Sequence, residues 1–247
     1  MRTPTLWHIE LSHYSEKVRW ALDYKGVEHR RRTPFVGVHQ VAAMALTRSR
    51  HHRMPVLKLD GGPAIGDSTA IVAALEERFP EPPLYPADPA ERARALALED
   101  FFDERLAPPL RAFAWHHVLG EAGGIGNAVA PDRPVWRRML NGAAPVAGRI
   151  VRSDYGADAE HEAQARREIV AAADRIEAEL QPSGYLVGDA FSIADLTGAA
   201  LFTPVLQPPN RPFLPNVAPP AVEALREELE ARPAGQWVLE MYVRHRT

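Results

Sequence analysis

Ser12-His13-Tyr14-Ser15-Glu16-Lys17-Val18-Arg19 is a polar turn that leaves an apolar segment and enters a helical one. Ahead of it, Thr5 to Leu11 (TLWHIEL) reads as a short strand. Behind it, Ser15 is placed to cap a helix whose apolar stripe is Val18, Ala21 and Leu22, and Gly26 stands where that helix ends. The first turn of a helix presents unpaired N–H groups and the positive end of the helix dipole. An anion there is stabilised, and a thiolate there has its pKa lowered. A serine hydroxyl just ahead of the helix can donate to such an anion. The plainer reading of the same residues is that Ser15 caps the helix and Ser12 fills the turn.

Working outward, Val27 to Val36 reads as a weaker strand, and Pro55 to Leu59, Asp60-Gly61-Gly62 and Ala64-Ile65 as a hairpin. Asp67-Ser68 opens a helix with an apolar face of Ile71, Val72, Leu75 and Phe79. The order β-α-β then ββ-α describes a small α/β domain over residues 1–80. Within it, Met54-Pro55-Val56-Leu57 sets a proline directly before a buried strand. A cis peptide there would turn the backbone of Met54 and Val56 toward a ligand, although most X-Pro bonds are trans. Gly66-Asp67-Ser68 places a carboxylate, a hydroxyl and free N–H groups at a helix start. That suits the amine and carboxylate of an amino-acid head group, and equally an ordinary N-cap.

Phe79-Pro80-Glu81-Pro82-Pro83-Leu84-Tyr85-Pro86 suits neither helix nor central strand and predicts a linker, residues 81–88. From residue 89 to 247 the periodicity is helical, over Pro89 to about Leu119, Pro134 to Arg152, Ala159 to Leu180, Ser192 to Phe202 and Pro219 to Ala231. Gly120 to Asp132 reads as loop, and Leu201 to Pro220, with its seven prolines, as extended or irregular chain. Trp237, Met241 and Tyr242 share one helical face and read as packing.

The 247 residues carry a formal charge of −3, with 46% hydrophobic and 25% charged side chains, enough to bury a core in one large or two modest domains. There is no cysteine, which removes disulfides, thiolate-zinc sites, iron–sulfur clusters and any cysteine nucleophile. Arginines interleave with acids instead of forming a basic face, so nucleic acid is not an expected partner. No apolar run is long enough to predict a membrane span, and residues 1–11 lack a secretory core; the expected location is the cytoplasm. The ten histidines include no i, i+4 pair backed by a carboxylate, so no metal site is predicted.

Strand, Ser-x-x-Ser, helix, Met-Pro-Val-Leu, Asp-Ser at a helix start, proline linker and helical half: in this sequence of motifs the chain resembles the cytosolic glutathione transferase family, on its serine-type, bacterial side. The Ser12 to Ser15 turn sits where thioredoxin-fold proteins carry Cys-x-x-Cys. Glu16 to Gly26 (EKVRWALDYKG) matches that family's first helix. Gly188 to Leu196 (GDAFSIADL) matches its buried helix-start motif, with Ser192 as cap and Asp195 closing a capping box. The likeness is weak between Gly120 and Gly156.

The resemblance implies an α/β thioredoxin-like N-terminal domain followed by an all-α C-terminal domain, a homodimer, and glutathione as co-substrate. Ser12 would stabilise the glutathione thiolate, with Tyr14 and Ser15 as alternatives. Met54 would offer its backbone to the cysteinyl part beside a cis Pro55, and Asp67 and Ser68 would hold the γ-glutamyl amine and carboxylate. Arg53 or His52 would meet the glycyl carboxylate, although the family's usual upstream Asn-Pro is Ser49-Arg50 here. A hydrophobic electrophile would lie between the halves, where Arg111, Phe113, Trp115 and His116 are the distinctive residues; aromatics at that spacing also suit a core. The implied activity is a detoxifying transferase in which the thiolate attacks the electrophile. The alternatives are a glutathione-dependent isomerase, dehalogenase or peroxidase and, from another class, a binding or regulatory protein without turnover.

Overall fold

The computed structural model describes residues 3–35, 38–130, 132–208, 210–213 and 218–246. Its first half is a four-stranded mixed sheet of β1 (Thr5–Trp7), β2 (Arg30–Arg32), β3 (Val56–Lys58) and β4 (Ala64–Gly66), in the order β2-β1-β3-β4. β1 runs parallel to β2 and antiparallel to β3, with Leu6 opposite both Arg31 and Leu57; β3 and β4 form the hairpin. Side chains alternate across the sheet. Leu6 and Leu57 therefore face the main core with α1 (His13–Tyr24) and α3 (Ser68–Arg78), while Trp7 and Val56 face a smaller cluster under α2 (His39–Thr47).

The second half is helical. α4 (Pro89–Phe101) runs through a π-helical turn, Phe102–Leu106, into α5 (Ala107–Gly120). There follow α6 (Gly124–Val129), α7 (Pro134–Gly142), α8 (Ala144–Tyr155), α9 (Ala159–Glu179), α10 (Ile193–Leu201), α11 (Pro220–Glu230) and α12 (Pro233–His245). Every residue of α10 is buried. Its neighbours approach so closely that a Cβ on Gly198 would come 3.2 Å from the Phe102 ring. Asp195 accepts from the Leu186 and Ser192 N–H groups, at 2.8 and 2.9 Å, and from the Ser192 hydroxyl, which anchors the start of this helix. Burial nonetheless pushes the Asp195 carboxyl up to about 6.

Several sequence-based boundaries are corrected. α1 begins one residue after Ser12, which is its N-cap, so Ser15 lies inside the first turn. The strand expected over Val27 to Val36 is confined to Arg30–Arg32, with Val36 outside the described residues. α2 was not anticipated; its Val41 and Met44 are exposed, so it shows no one-sided apolar stripe. The expected loop Gly120 to Asp132 contains α6. Pro145 has no N–H to continue the ladder, and the segment from Pro134 to Arg152 splits there into α7 and α8.

The two halves meet on α1, which buries charges as well as apolar groups. Lys17 Nζ lies 2.8 Å from Glu99 and 2.6 Å from Asp103, both across the interface. Glu16 pairs with Arg19 and with Arg246 beyond α12, each at 2.8 Å. Arg19 also donates to His8 Nδ1 at 2.9 Å and to the carbonyls of Ile9 and Glu10. Lys25 pairs with Glu76 and donates to the carbonyls of Phe79 and Pro82, holding the proline linker against α1 and α3.

Removing one partner of a buried ion pair leaves the other charge uncompensated, at a cost of about 3–5 kcal/mol. Lys17→Ala should lower the urea-denaturation stability by that amount, and a loss below about 1 kcal/mol would contradict this arrangement. Acid should act through His8. Burial, with Arg19 beside it, lowers its imidazole from 6.5 to about 3, so the folded protein excludes a proton that the unfolded chain binds. Stability from neutral His8 is complete above pH 6.5 and falls as pH drops toward 3, at up to about 1.4 kcal/mol per pH unit. His8→Asn should flatten the acid limb of stability against pH by that slope; parallel curves would remove His8 from the acid response.

Candidate functional site

The turn after β1, the approach to β3 and the start of α3 face α5 and α8 across a cleft of about 1090 Å³. Chain topology explains the gathering: these three segments enter or leave adjacent strands at one end of the sheet. Ser12, Tyr14, His52, Arg53, Met54, Pro55, Asp67 and Ser68 all line this cleft, and from the helical half so do Arg111 and Trp115. Phe113 and His116 do not. Phe113 is buried in the core with its ring 4.6 Å from that of His117, and His116 packs edge-on against His117.

Ser12 Oγ accepts the Ser15 N–H at 3.2 Å. The cap bond uses an oxygen lone pair and leaves the hydroxyl hydrogen free to donate into the cleft. The other two candidates for that task are committed elsewhere. Ser15 is fully buried and its hydroxyl accepts the Ile9 N–H at 3.2 Å. The Tyr14 hydroxyl donates to the Asp103 carbonyl at 2.9 Å, in the π turn where the helical ladder is shifted. Burial pushes the Tyr14 phenol up to about 12, so it stays protonated.

The Met54–Pro55 peptide is cis, and both residues face the cleft. Asp67 adopts φ 74°, ψ 128°, a left-handed backbone conformation that favours glycine and costs a residue with a side chain about 1–3 kcal/mol. Its carboxylate caps α3 by accepting from the Ala70 N–H at 3.0 Å. Ser68 follows it, largely buried. Thr69 Oγ1 donates to Asp103 and accepts from Lys17, so the start of α3 is pinned to the π turn through the α1 lysine. Arg53 reaches across the cleft mouth to Asp154 of α8 at 3.3 Å.

Sequence reasoning missed two residues of the helical wall. Tyr155 lies under the Arg111 guanidinium, 4.4 Å from ring centroid to charge, and Arg211 comes from the proline-rich segment. Neither has a periodic signal, because one ends a helix and the other lies in irregular chain. Among the described residues no three His, Cys, Asp or Glu side chains are grouped to hold a metal ion, and no helix is long and apolar enough to cross a membrane.

Residues 6–83 match the profile of the glutathione S-transferase N-terminal domain, and residues 141–233 that of the glutathione S-transferase C-terminal domain. The chain belongs to the glutathione S-transferase family. Over 84 residues this glutathione S-transferase family member is 37% identical to a maleylacetoacetate isomerase of Pseudomonas aeruginosa, a stretch that is 32% of this chain and 39% of that protein. It is 28% identical over 203 residues to FtsZ-localized protein A of Caulobacter vibrioides, covering 79% and 74% of the two chains. Among solved structures, beta-etherase LigF from Sphingobium sp. strain SYK-6 aligns with a TM-score of 0.63 at 25% identity, over 97% of this chain and 99% of that one.

The geometry separates the two serines of the turn by experiment. Ser15→Ala strands the Ile9 N–H inside the protein and should cost about 1–3 kcal/mol in denaturant unfolding. A fully stable Ser15→Ala variant would contradict this structural role.

Proposed function

We propose that the protein is a glutathione transferase in which Ser12 activates the thiol. The observation that carries this reading is that Ser12 lines the cleft with Met54, Pro55, Asp67 and Ser68 while its Oγ is engaged as an acceptor in the cap bond, which leaves its hydroxyl hydrogen to donate. Glutathione would lie along that wall. Its γ-glutamyl amine meets the Asp67 carboxylate, and its γ-glutamyl carboxylate meets the Ser68 hydroxyl and the N–H groups at the start of α3. The cysteinyl backbone meets Met54, and the glycyl carboxylate meets Arg53 or His52 at the cleft mouth. Binding Arg53 in this way would exchange its exposed pair with Asp154, which is worth little by itself.

In the reaction Ser12 donates its hydroxyl hydrogen to the sulfur, and the first-turn N–H groups of α1 add the field of the helix dipole. Both favour thiolate over thiol at neutral pH. The thiolate then attacks an electrophile seated against α5, near Arg111 and Trp115, and the leaving group departs with the bonding electrons. With no cysteine in the chain, the sulfur of any thiol chemistry comes from the ligand. A cytoplasmic homodimer is the working form that family membership suggests.

A second reading has a specific observation behind it: the match over 79% of the chain to a protein named for its localisation with FtsZ, not for a reaction. On that reading the cleft binds glutathione without turnover.

Titrating the ultraviolet absorbance of the bound thiolate tests the assignment. Ser12→Ala should raise the bound thiol's pKa by about one unit or more, and should lower turnover of an aryl halide by about tenfold or more. An unchanged titration would remove Ser12 from the mechanism. Glutathione binding with no turnover of aryl halide, maleylacetone or hydroperoxide would favour the second reading.

A further inference from the structure

Beyond Ser12 the helical wall of the cleft carries two guanidiniums, Arg111 and Arg211, among several carboxylates. Arg111 stacks on Tyr155 and has no hydrogen bond or ion pair to another described residue; its Nε is buried and unpartnered. Arg211 is 4% exposed. It donates to the carbonyls of Thr203 and Leu11, leaving its Nε buried and unpartnered as well. Between the influence of these two guanidiniums sits His13, 3% exposed, with Nε2 unpartnered. All three residues line the cleft.

The acids whose charges reach these two guanidiniums, Asp154 and Glu16, have ion-pair partners of their own, as does Asp103 nearby. Asp103 holds Lys17 and Thr69, Asp154 pairs with Arg53, and Glu16 is bound by Arg19 and Arg246. Burial lowers the proton affinity of both arginines and keeps the His13 imidazole neutral well below its ordinary value. A buried cation without a partner is costly. Arg111 is half-buried with its Nε unpartnered, and Arg211 is buried and held by two carbonyls with its Nε spare, so beside the unpartnered Nε2 of a neutral His13 they leave polar groups that an entering anion would satisfy. Arginine, planar and weakly hydrated, is the side chain suited to holding a carboxylate in such a place.

We propose that Arg111, Arg211 and His13 form an anion subsite, and that the electrophile this protein accepts carries a carboxylate which docks there. The proposal rests on the transferase reading for its chemistry and stands apart from it for binding. The apolar wall of Trp115, Pro108, Val118 and Ile125 would cover the remainder of such a molecule. The specificity is therefore for an amphipathic acid, not for a wholly hydrophobic compound.

Calorimetry with dinitrobenzoate and its neutral methyl ester, on the protein with and without saturating glutathione, tests the subsite. The acid should bind about tenfold or more tightly than the ester. Arg111→Met should erase about tenfold of that preference, and Arg111→Lys should restore part of it, with circular dichroism confirming the fold of each variant. Turnover of chlorodinitrobenzoate and its methyl ester adds the chemical arm. Glutathione sulfur forms a bond to the ring carbon, the carbon–chlorine bond breaks, and chloride leaves. Rates normalised to the uncatalysed reactions should favour the acid in the same ratio. Equal affinities for acid and ester, or a preference that survives both Arg111→Met and Arg211→Met, would overturn the subsite. A loss of glutathione affinity in Arg111→Met with the benzoate preference intact would assign the cluster to glutathione's own carboxylate and overturn it too. If glutathione fails to bind the unaltered protein, the transferase reading falls, while the benzoate preference still decides the subsite.

Discussion

Lys17 is an ammonium with no access to water, held by Glu99 and Asp103 from the opposite half of the molecule. A charge in that position must be matched, because the protein cannot solvate it any other way. The match fixes how α1 sits against α4 and the π turn. The Glu16, Arg19 and Arg246 cluster does the same toward the C-terminal end of the chain. Hydrophobic burial brings the halves together, but it is indifferent to small sliding movements. Ion pairs of this kind are not, and they set the register in which Ser12 faces Arg111 across the cleft.

The chemistry follows from that register. One helix supplies both the mechanical anchor and the electrostatic field: its interior charges hold the halves, and its free N-terminus faces the cleft. Ser12 serves both ends of this arrangement. Its oxygen closes the first turn, and its hydrogen remains for a ligand. The second wall is aromatic and apolar and carries both guanidiniums and carboxylates, so the two walls differ in chemistry. The α/β side presents hydrogen-bonding groups at chain ends and turns. The helical side presents guanidiniums backed by Tyr155 and apolar side chains.

Much of this was legible in the residues, for identifiable reasons. Proline and glycine fix backbone geometry locally, so the linker after Phe79, the hairpin at Gly61-Gly62 and the start of α3 announce themselves. Ser192 and Asp195 are recognisable because a capping box is a short-range pattern. Ser12 and Ser15 were not separable, since both suit a cap and only the path of β1 decides which hydroxyl meets the Ile9 N–H. Phe113 and His116 looked like pocket residues because helical spacing does not say which face a neighbouring helix covers. Arg211 was invisible: its placement depends on the carbonyls of Thr203, in the same irregular stretch, and of Leu11, 200 residues away. The π turn, which brings Asp103 to Tyr14, Lys17 and Thr69, also has no sequence signature that periodicity would detect.

The absence of cysteine closes the argument about sulfur. A thioredoxin-like turn with two serines has no thiol of its own, and on the proposed reading the cleft that gathers Ser12, Met54 and Asp67 receives its thiol with the ligand. The most direct measurement is a crystal structure with glutathione bound. The account predicts the glutathione sulfur within about 3.5 Å of Ser12 Oγ, with the γ-glutamyl group at Asp67 and Ser68. A sulfur seated against Tyr14, or glutathione bound away from Ser12, would contradict it.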